Sequence, residues 1–252
     1  MPVIYEPQGR AQEFSLLAIN HYVGCGHGCM YCYVPIVTRN SSFATEQHPK
    51  DNILDRIRKE APKHAGTDKR VLLCFSCDPY QPIDVDLEIT RKVIEILKEY
   101  DIPFQILTKG GTRAIRDFDL YGPDDFFATT LTFLDLKKSK QNEPNAATPD
   151  DRILAITTAR SKGIKTWVSL EPVIDGRQTL KIIQGTHNIV DHYKVGPLNY
   201  YDRHVNWREF GIAVISTFER LKKTYYIKAE LAKYLEGVSF KNTDTRTIKR
   251  EK

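Results

Sequence analysis

Short runs of apolar and β-branched residues recur along the chain, each followed by a longer stretch with apolar residues at helical spacing. Leu16–Tyr22, Val71–Cys77, Phe104–Leu107, Phe126–Thr132, Lys165–Leu170 and Tyr193–Val195 read as strands. Asp86–Tyr100 places Val93, Ile94, Ile96 and Leu97 on one helical face, and Pro149–Lys162 opens on Pro149-Asp150-Asp151, a helix start. Thr179–Gln184 and Trp207–Lys222 also read as helices, and Gly110-Gly111, Gly163 and Gly185 fall where elements end. Strands separated by helix-length segments predict βαβ units and a parallel sheet. Six such units give an α/β fold, a partial (β/α)6 barrel, with a short C-terminal helical extension. The polar segment 35–70 is predicted to hold one helix, around Leu54 and Ile57. Without an internal repeat or a Gly/Ser linker, residues 1–237 read as one domain, and the stretch 238–252 as a basic tail with little to bury, expected to be disordered.

Composition narrows the class. The chain has 252 residues, 41% of them hydrophobic, which excludes a disordered chain and suits a full core. No apolar run approaches the roughly 20 residues of a membrane helix, and the first 30 residues lack the pattern of a secretory signal. The expectation is a soluble, cytoplasmic protein. Net charge is +5, of which the tail supplies +3 through Lys241, Arg246, Lys249, Arg250 and Lys252 against Asp244 and Glu251. Such a tail reads first as solvated and second as a nucleic-acid contact.

Five cysteines change the picture more. Cys25, Cys29 and Cys32 lie within eight residues, directly after the first strand, and Cys74 and Cys77 lie together at the end of the second. An odd count without a signal argues against a disulfide framework and for metal or redox chemistry. Ligands of parallel α/β folds sit at the carboxyl ends of the strands, where these cysteines fall. Cys29-x2-Cys32 with Cys74-x2-Cys77 is one arrangement, a tetrahedral zinc site, which leaves Cys25 unused. A four-iron cluster held by Cys25, Cys29 and Cys32 is the other; with three ligands it keeps one iron open.

The spacing C-x3-C-x2-C after a first strand, with Tyr31 before the last cysteine, resembles the radical S-adenosylmethionine (radical SAM) enzymes. Asn20-His21-Tyr22, Asp78-Pro79-Tyr80 and Thr108-Lys109 are similar to the subgroup that includes spore photoproduct lyase, the similarity running from about residue 16 to 200. The resemblance implies a TIM-like radical SAM barrel and a [4Fe-4S] cluster on Cys25, Cys29 and Cys32. It further implies that the open iron binds the amino and carboxylate groups of S-adenosyl-L-methionine, which is cleaved reductively to a 5′-deoxyadenosyl radical that abstracts hydrogen. An electron donor such as flavodoxin or ferredoxin is the implied partner.

Physical reading distributes the cofactor contacts. Asp78 is placed to accept from the amino group and Lys109 to neutralise the carboxylate. Thr130 and Thr132 offer hydroxyls to the ribose, while the backbone at Tyr31 and at Lys194–Gly196 borders the adenine. Each has a plainer role beside it: Asp78 starts a turn, Lys109 is a solvated cation, and the threonines are ordinary strand residues. Glu171 and Asn199 point at the same mouth, Glu171 toward a cofactor or substrate group or into a structural ion pair. Tyr200 and Tyr201 stack on a flat substrate or simply pack. His27 reads as packing or a hydrogen bond behind the ligands. Cys77 is the catalytic candidate, donating hydrogen to a product radical, whereas Cys74 reads as inert. In the photoproduct lyase such a cysteine precedes the aspartate by three positions, where this chain has Phe75, so lyase activity on thymine photoproducts is not supported.

Substrate class stays open among nucleic acid, peptide or protein, and small molecule. Lys137-Lys138-Lys140, Arg113, Arg116 and the tail are the candidate phosphate contacts. Two non-catalytic readings stand beside the enzyme: a zinc-stabilised nucleic-acid-binding module, and a cluster-binding partner subunit.

Overall fold

A computed structural model describes residues 2–200 and 205–249. Seven parallel strands form one open sheet in chain order: β1 (Leu17–Ile19), then, after a small antiparallel ribbon of β2 (Tyr22–Val23) and β3 (His48–Pro49), β4 (Val71–Leu73), β5 (Phe104–Thr108), β6 (Phe126–Thr130), β7 (Lys165–Val173), β8 (His192–Pro197) and β9 (Thr224–Ile227). The α/β partial-barrel class is therefore the observed one. Among the described residues the count is seven parallel strands rather than six. Thr224-Tyr225-Tyr226-Ile227 is short and abuts the helix before it, so its period-two signal is brief.

Helices α1 (Val34–Thr38) and α2 (Ile53–Glu60) follow the first strands, α3 (Asp84–Leu87) and α4 (Ile89–Glu99) follow β4, and α5 (Leu136–Asn142) and α6 (Pro149–Ser161) follow β6. The crossover after β5 is a 3-10 segment (Gly111–Leu120), those after β7 and β8 are α7 (Gly176–Thr186) and α8 (Trp207–Arg220), and α9 (Ala229–Ala232) follows the last strand. The single helix expected over Asp86–Tyr100 is broken at Glu88, whose φ of +50° ends α3. Helix α6 begins as its sequence predicts: Thr148 accepts from the Asp151 N–H, and Pro149 fills the first turn.

Strand alternation gives the sheet two faces. Val71, Leu73, Ile106, Phe127, Val168, Tyr193 and Val195 meet Val93, Leu97, Ile156, Ile183 and Val214 from the helices in the main core. The other face presents Ala18, Leu72, Ala128 and Trp167, covered by Phe14 from the N-terminal segment. Two buried polar side chains of that face hold the cover in place. Gln105 Nε2 donates to the Phe14 carbonyl at 2.9 Å, and Lys194 Nζ donates to the Glu13 and Phe14 carbonyls, each at 3.1 Å. Burial, with Lys228 nearby, brings the Lys194 ammonium down to about 7.

The tail is a correction. Residues 238–249 are packed, not loose: Ile248 is buried, and the Arg70 guanidinium donates to the Thr245 and Thr247 carbonyls at 2.6 and 2.8 Å. Lys69 and Thr247 pair as a bridge just before β4, so the tail crosses the amino-terminal ends of the strands. Backbone–side-chain contacts supplied the docking, which an apolar-pattern reading does not see. Arg250, Glu251 and Lys252 lie outside the described residues.

Candidate active site

The carboxyl ends of β4 to β8 surround a cavity of about 570 Å³ whose wall includes Cys25, Cys29, Cys32, Cys74, Cys77 and Lys109. The cysteine loop is stitched to its surroundings through backbone. Cys25 N–H donates to Phe43 O at 2.9 Å, Met30 N–H to Asn142 O at 2.8 Å and Asn145 N–H to His27 O at 3.2 Å. Gln81, fully buried, brackets the loop from β4's side, accepting from Gly26 N–H at 2.8 Å and donating to Gly24 O at 3.3 Å. Gly24 has φ +72°, and a Cβ there would lie 2.0 Å from Glu46 O, so this turn requires glycine.

Behind the loop runs a buried polar relay. Arg113 donates to His27 Nε2 at 2.9 Å, which leaves Nδ1 to donate toward Asp78 Oδ2 at 3.4 Å. The Asp78 carboxylate also accepts from Thr108 Oγ1 at 2.5 Å, from Lys109 N–H at 2.7 Å and from Tyr80 N–H at 2.9 Å. Burial works to raise the Asp78 pKa, but His27 and these donors outweigh it and hold the group well below the carboxylate range. Burial and Arg113 keep His27 neutral against the pull of Asp78. His27 thus sits behind the cysteine loop, held between Arg113 and Asp78.

The expected cofactor contacts divide. Lys109 reaches the cavity; its Nζ lies 5.7 Å from the centre of the Tyr31 ring and makes no hydrogen bond among the described residues. Asp78 reaches the wall too, but its acceptor sites are taken by the protein itself, which makes it an organiser of the loops rather than a free acceptor. Thr130 lines the cavity. Thr132 does not: its hydroxyl lies 3.3 Å from the Tyr31 hydroxyl, because the chain leaves β6 at Thr130. Gly196 is likewise not in the wall. A Cβ there would stand 2.9 Å from both Glu171 Cδ and Lys228 Cδ, so the glycine makes room for that ion pair. Glu171 lines the cavity, paired with Lys228 Nζ at 2.7 Å and accepting from Asn199 Nδ2 at 3.3 Å.

Three residues escaped sequence reasoning. Tyr31 donates to Glu143, whose carboxylate pairs with Arg152 at 2.6 Å, and Arg152 donates on to Thr130 O at 3.0 Å and Ala147 O at 2.8 Å. Arg152 and Glu143 are both buried, a pairing of long-range contacts that no spacing advertises. Lys228 was missed with its strand. Arg113 and Arg116, read as phosphate contacts, are turned inward onto His27 and Asp84. Tyr200 stacks on Tyr33, ring centres 6.5 Å apart, whereas Tyr201 lies outside the described residues.

The donor set suits an iron–sulfur cluster. Three free thiols converge on one cavity, with the ammonium of Lys109 beside Cys29. Burial pushes the Cys29 thiol up to about 11, with Lys109 pulling it back, so loading requires thiol deprotonation. Among the described residues no three His, Cys, Asp or Glu side chains converge as ligands of a single ion. This holds alike for Cys29, Cys32, Cys74 and Cys77 and for Cys25, Cys29 and Cys32, the latter three suiting a cluster in which each thiolate meets a different iron.

Comparison with known proteins places the chain. An uncharacterised protein of Methanocaldococcus jannaschii is 27% identical over 161 residues, covering 62% of this chain and 60% of that one. An uncharacterised protein of Mycobacterium tuberculosis is 28% identical over 167 residues, covering 62% and 49%. The chain thus spans about half to three fifths of the length of the curated relatives it matches. A spore photoproduct lyase variant with bound S-adenosylmethionine and dinucleoside spore photoproduct superposes with a TM-score of 0.69 at 16% identity, over 89% of this chain and 78% of that one. Streptococcus suis SuiB bound to S-adenosylmethionine superposes with a TM-score of 0.65 at 12% identity, over 89% and 51%. These two share the fold. The profile of the Radical SAM superfamily matches residues 19–187, two thirds of the sequence and the whole of the cysteine loop, and the chain belongs to that superfamily, whose enzymes use a [4Fe-4S] cluster and S-adenosylmethionine.

Proposed function

We propose that this chain holds a [4Fe-4S] cluster on Cys25, Cys29 and Cys32 and binds S-adenosylmethionine in the adjoining cavity, starting hydrogen abstraction from a substrate at the same mouth. The observation that carries the reading is the convergence of those three thiols and the unbonded Lys109 ammonium on one cavity wall. When bound, the cluster and S-adenosylmethionine supply a one-electron reductive cleavage that yields the abstracting radical. The protein's part is positional. Lys109 neutralises the cofactor carboxylate, Thr130 offers a hydroxyl, and Tyr31 is fixed beside the cofactor by Glu143. Asp78 and His27 hold the loops that carry these groups. Cys77, on the wall, is the hydrogen donor of this reading.

Met30, 66% exposed beside Cys29, gives an electron donor such as flavodoxin or ferredoxin an approach to the cluster loop. A nucleic acid is the favoured substrate class. Tyr33, Phe75 and Tyr200 line the cavity as flat aromatic surfaces, and the Arg10 guanidinium sits 5.8 Å from the Tyr200 ring. With Arg113 and Arg116 turned inward, phosphate contact falls to Arg10 and the exposed Lys137 and Lys140. Binding of a single-stranded oligonucleotide that weakens steeply with salt supports this class, and a flat salt dependence removes it.

The test of the chemistry is the electron paramagnetic resonance spectrum of the anaerobically reconstituted, reduced protein. A four-iron signal that shifts on adding S-adenosylmethionine is expected, with 5′-deoxyadenosine formed on turnover. Cys29→Ala is expected to abolish both. Lys109→Met should weaken cofactor binding by about 10- to 100-fold, the weight of one charge-assisted hydrogen bond. A cluster whose spectrum ignores the cofactor, or a Cys29→Ala protein that still makes 5′-deoxyadenosine, overturns the proposal.

A further inference from the structure

Cys74 and Cys77 stand apart from the three cysteines of the loop, and the geometry around them is specific. The Thr90 hydroxyl gives its one hydrogen to the Pro79 carbonyl, so its 3.0 Å contact with His21 Nε2 requires the imidazole to donate. That fixes the tautomer and leaves Nδ1 as an acceptor. Cys74 Sγ lies 3.2 Å from Nδ1, so the Cys74 thiol hydrogen is directed at His21, away from its sulfur lone pairs. Cys77 Sγ lies 3.7 Å from Tyr22 O, so the two sulfurs sit against neighbouring residues of one turn, Cys74 on His21 and Cys77 on Tyr22. Both residues belong to the cavity wall. Sequence alternation puts Cys74 and Cys77 on opposite faces of one strand, but β4 ends at Leu73, and the loop beyond it turns both residues to the wall of one cavity.

From this juxtaposition we infer that Cys74 and Cys77 form a second redox site, a dithiol in the cavity wall that closes to a disulfide by exchange with a small-molecule disulfide. In the first step the Cys74 sulfur attacks one sulfur of glutathione disulfide, forming a mixed disulfide, and one glutathione leaves with the Cys74 proton. In the second, Cys77 attacks the Cys74 sulfur of the mixed disulfide, and the second glutathione leaves with the Cys77 proton. Two protein thiols lose two electrons and two protons; one small disulfide gains them and becomes two thiols. Cys74, whose thiol hydrogen is taken by His21 Nδ1, is the attacking sulfur. The exchange needs neither the cluster nor S-adenosylmethionine, but the disulfide consumes the Cys77 thiol that the proposed function uses as its hydrogen donor; the peptide masses read the exchange without turnover and so test it independently.

The chain's cleavage pattern makes the test direct. Trypsin releases Cys74 and Cys77 together on Val71–Arg91, and Cys25, Cys29 and Cys32 on Ala11–Arg39. Cluster-loaded protein is equilibrated anaerobically with glutathione disulfide, its remaining thiols are alkylated, and the two peptides are weighed. The expected result is a Val71–Arg91 peptide that is two hydrogens lighter and unalkylated, returning to the doubly alkylated form after dithiothreitol. Cys77→Ser should instead accumulate glutathione on Cys74. Recovery of Cys74 and Cys77 as fully alkylated thiols, or their linkage to Cys25, Cys29 or Cys32, overturns the inference. So does a Cys77→Ser protein without the adduct.

Discussion

Arg152 and Glu143 are the residues whose removal should be felt most. Both are withdrawn from water, and each is the other's charge partner. Glu143 also accepts from Tyr31, so the ion pair reaches directly into the wall beside the cysteines. Coulomb attraction inside the protein offsets desolvation only while both charges are present. Glu143→Ala leaves the guanidinium without its counter-charge and is expected to cost about 3–5 kcal/mol in urea unfolding. Replacing the pair together, as Glu143→Leu with Arg152→Met, should cost less than either single change, because no charge is then stranded. A double replacement as damaging as the sum of the singles would mean that the pair's other contacts carry the stability.

At the scale of elements, the cysteine loop is held by conformation as much as by contact. Gly24 turns the chain from β2 into the loop at φ +72°, against the backbone of Glu46. Gly24→Ala forces both a left-handed alanine and a displaced neighbouring strand connection. The expected loss exceeds the roughly 1 kcal/mol of the conformational term alone, and the reconstituted protein should bind less iron per chain than the unaltered one. Gly163→Ala is the control. Gly163 is also left-handed, at φ +78°, but its Cβ would meet nothing within 4 Å, so it should lose stability without losing iron. Equal iron in both variants would show that the turn at Gly24 does not shape the loop.

Across the whole molecule the two ends of the sheet are assigned to different work. The carboxyl ends carry the cavity, and the amino-terminal ends carry Arg70 with the tail laid over it. Arg70 also donates to Asp124 O at 2.7 Å, so one guanidinium ties the entries of β4 and β6 to the chain terminus. Deleting residues 245–252 removes two of its acceptors and uncovers the site of Ile248. A loss of about 1.5–3 kcal/mol is expected, the weight of a hydrogen bond to a charged group, with cofactor binding at the far end unchanged. Unfolding midpoints for the two lengths check this; identical midpoints would return the tail to the loosely held segment that its composition suggests.

How much of this was legible depends on the range of the interaction. The α/β class, five of the strand–helix repeats and the cysteine loop could be read from the sequence, because periodicity, helix starts and ligand spacing are local properties of the chain. Lys109 followed from the same logic, a charged residue at a strand's carboxyl end. The sequence also marked Asp78, Thr132 and Gly196, but only tertiary structure decided what they touch: Asp78 saturated by its own loops, Thr132 turned to Tyr31, Gly196 making room for Glu171 and Lys228. The Arg152–Glu143 pair and the Arg113–His27–Asp78 relay join groups whose partners are fixed by packing, as is the placing of Cys74 and Cys77 in one cavity wall, and the docked tail depends on backbone carbonyls that every residue carries alike. The chain's local pattern specified which chemistry sits at the mouth; the three-dimensional packing alone determined which of its charges face the cavity and which are consumed in holding it open.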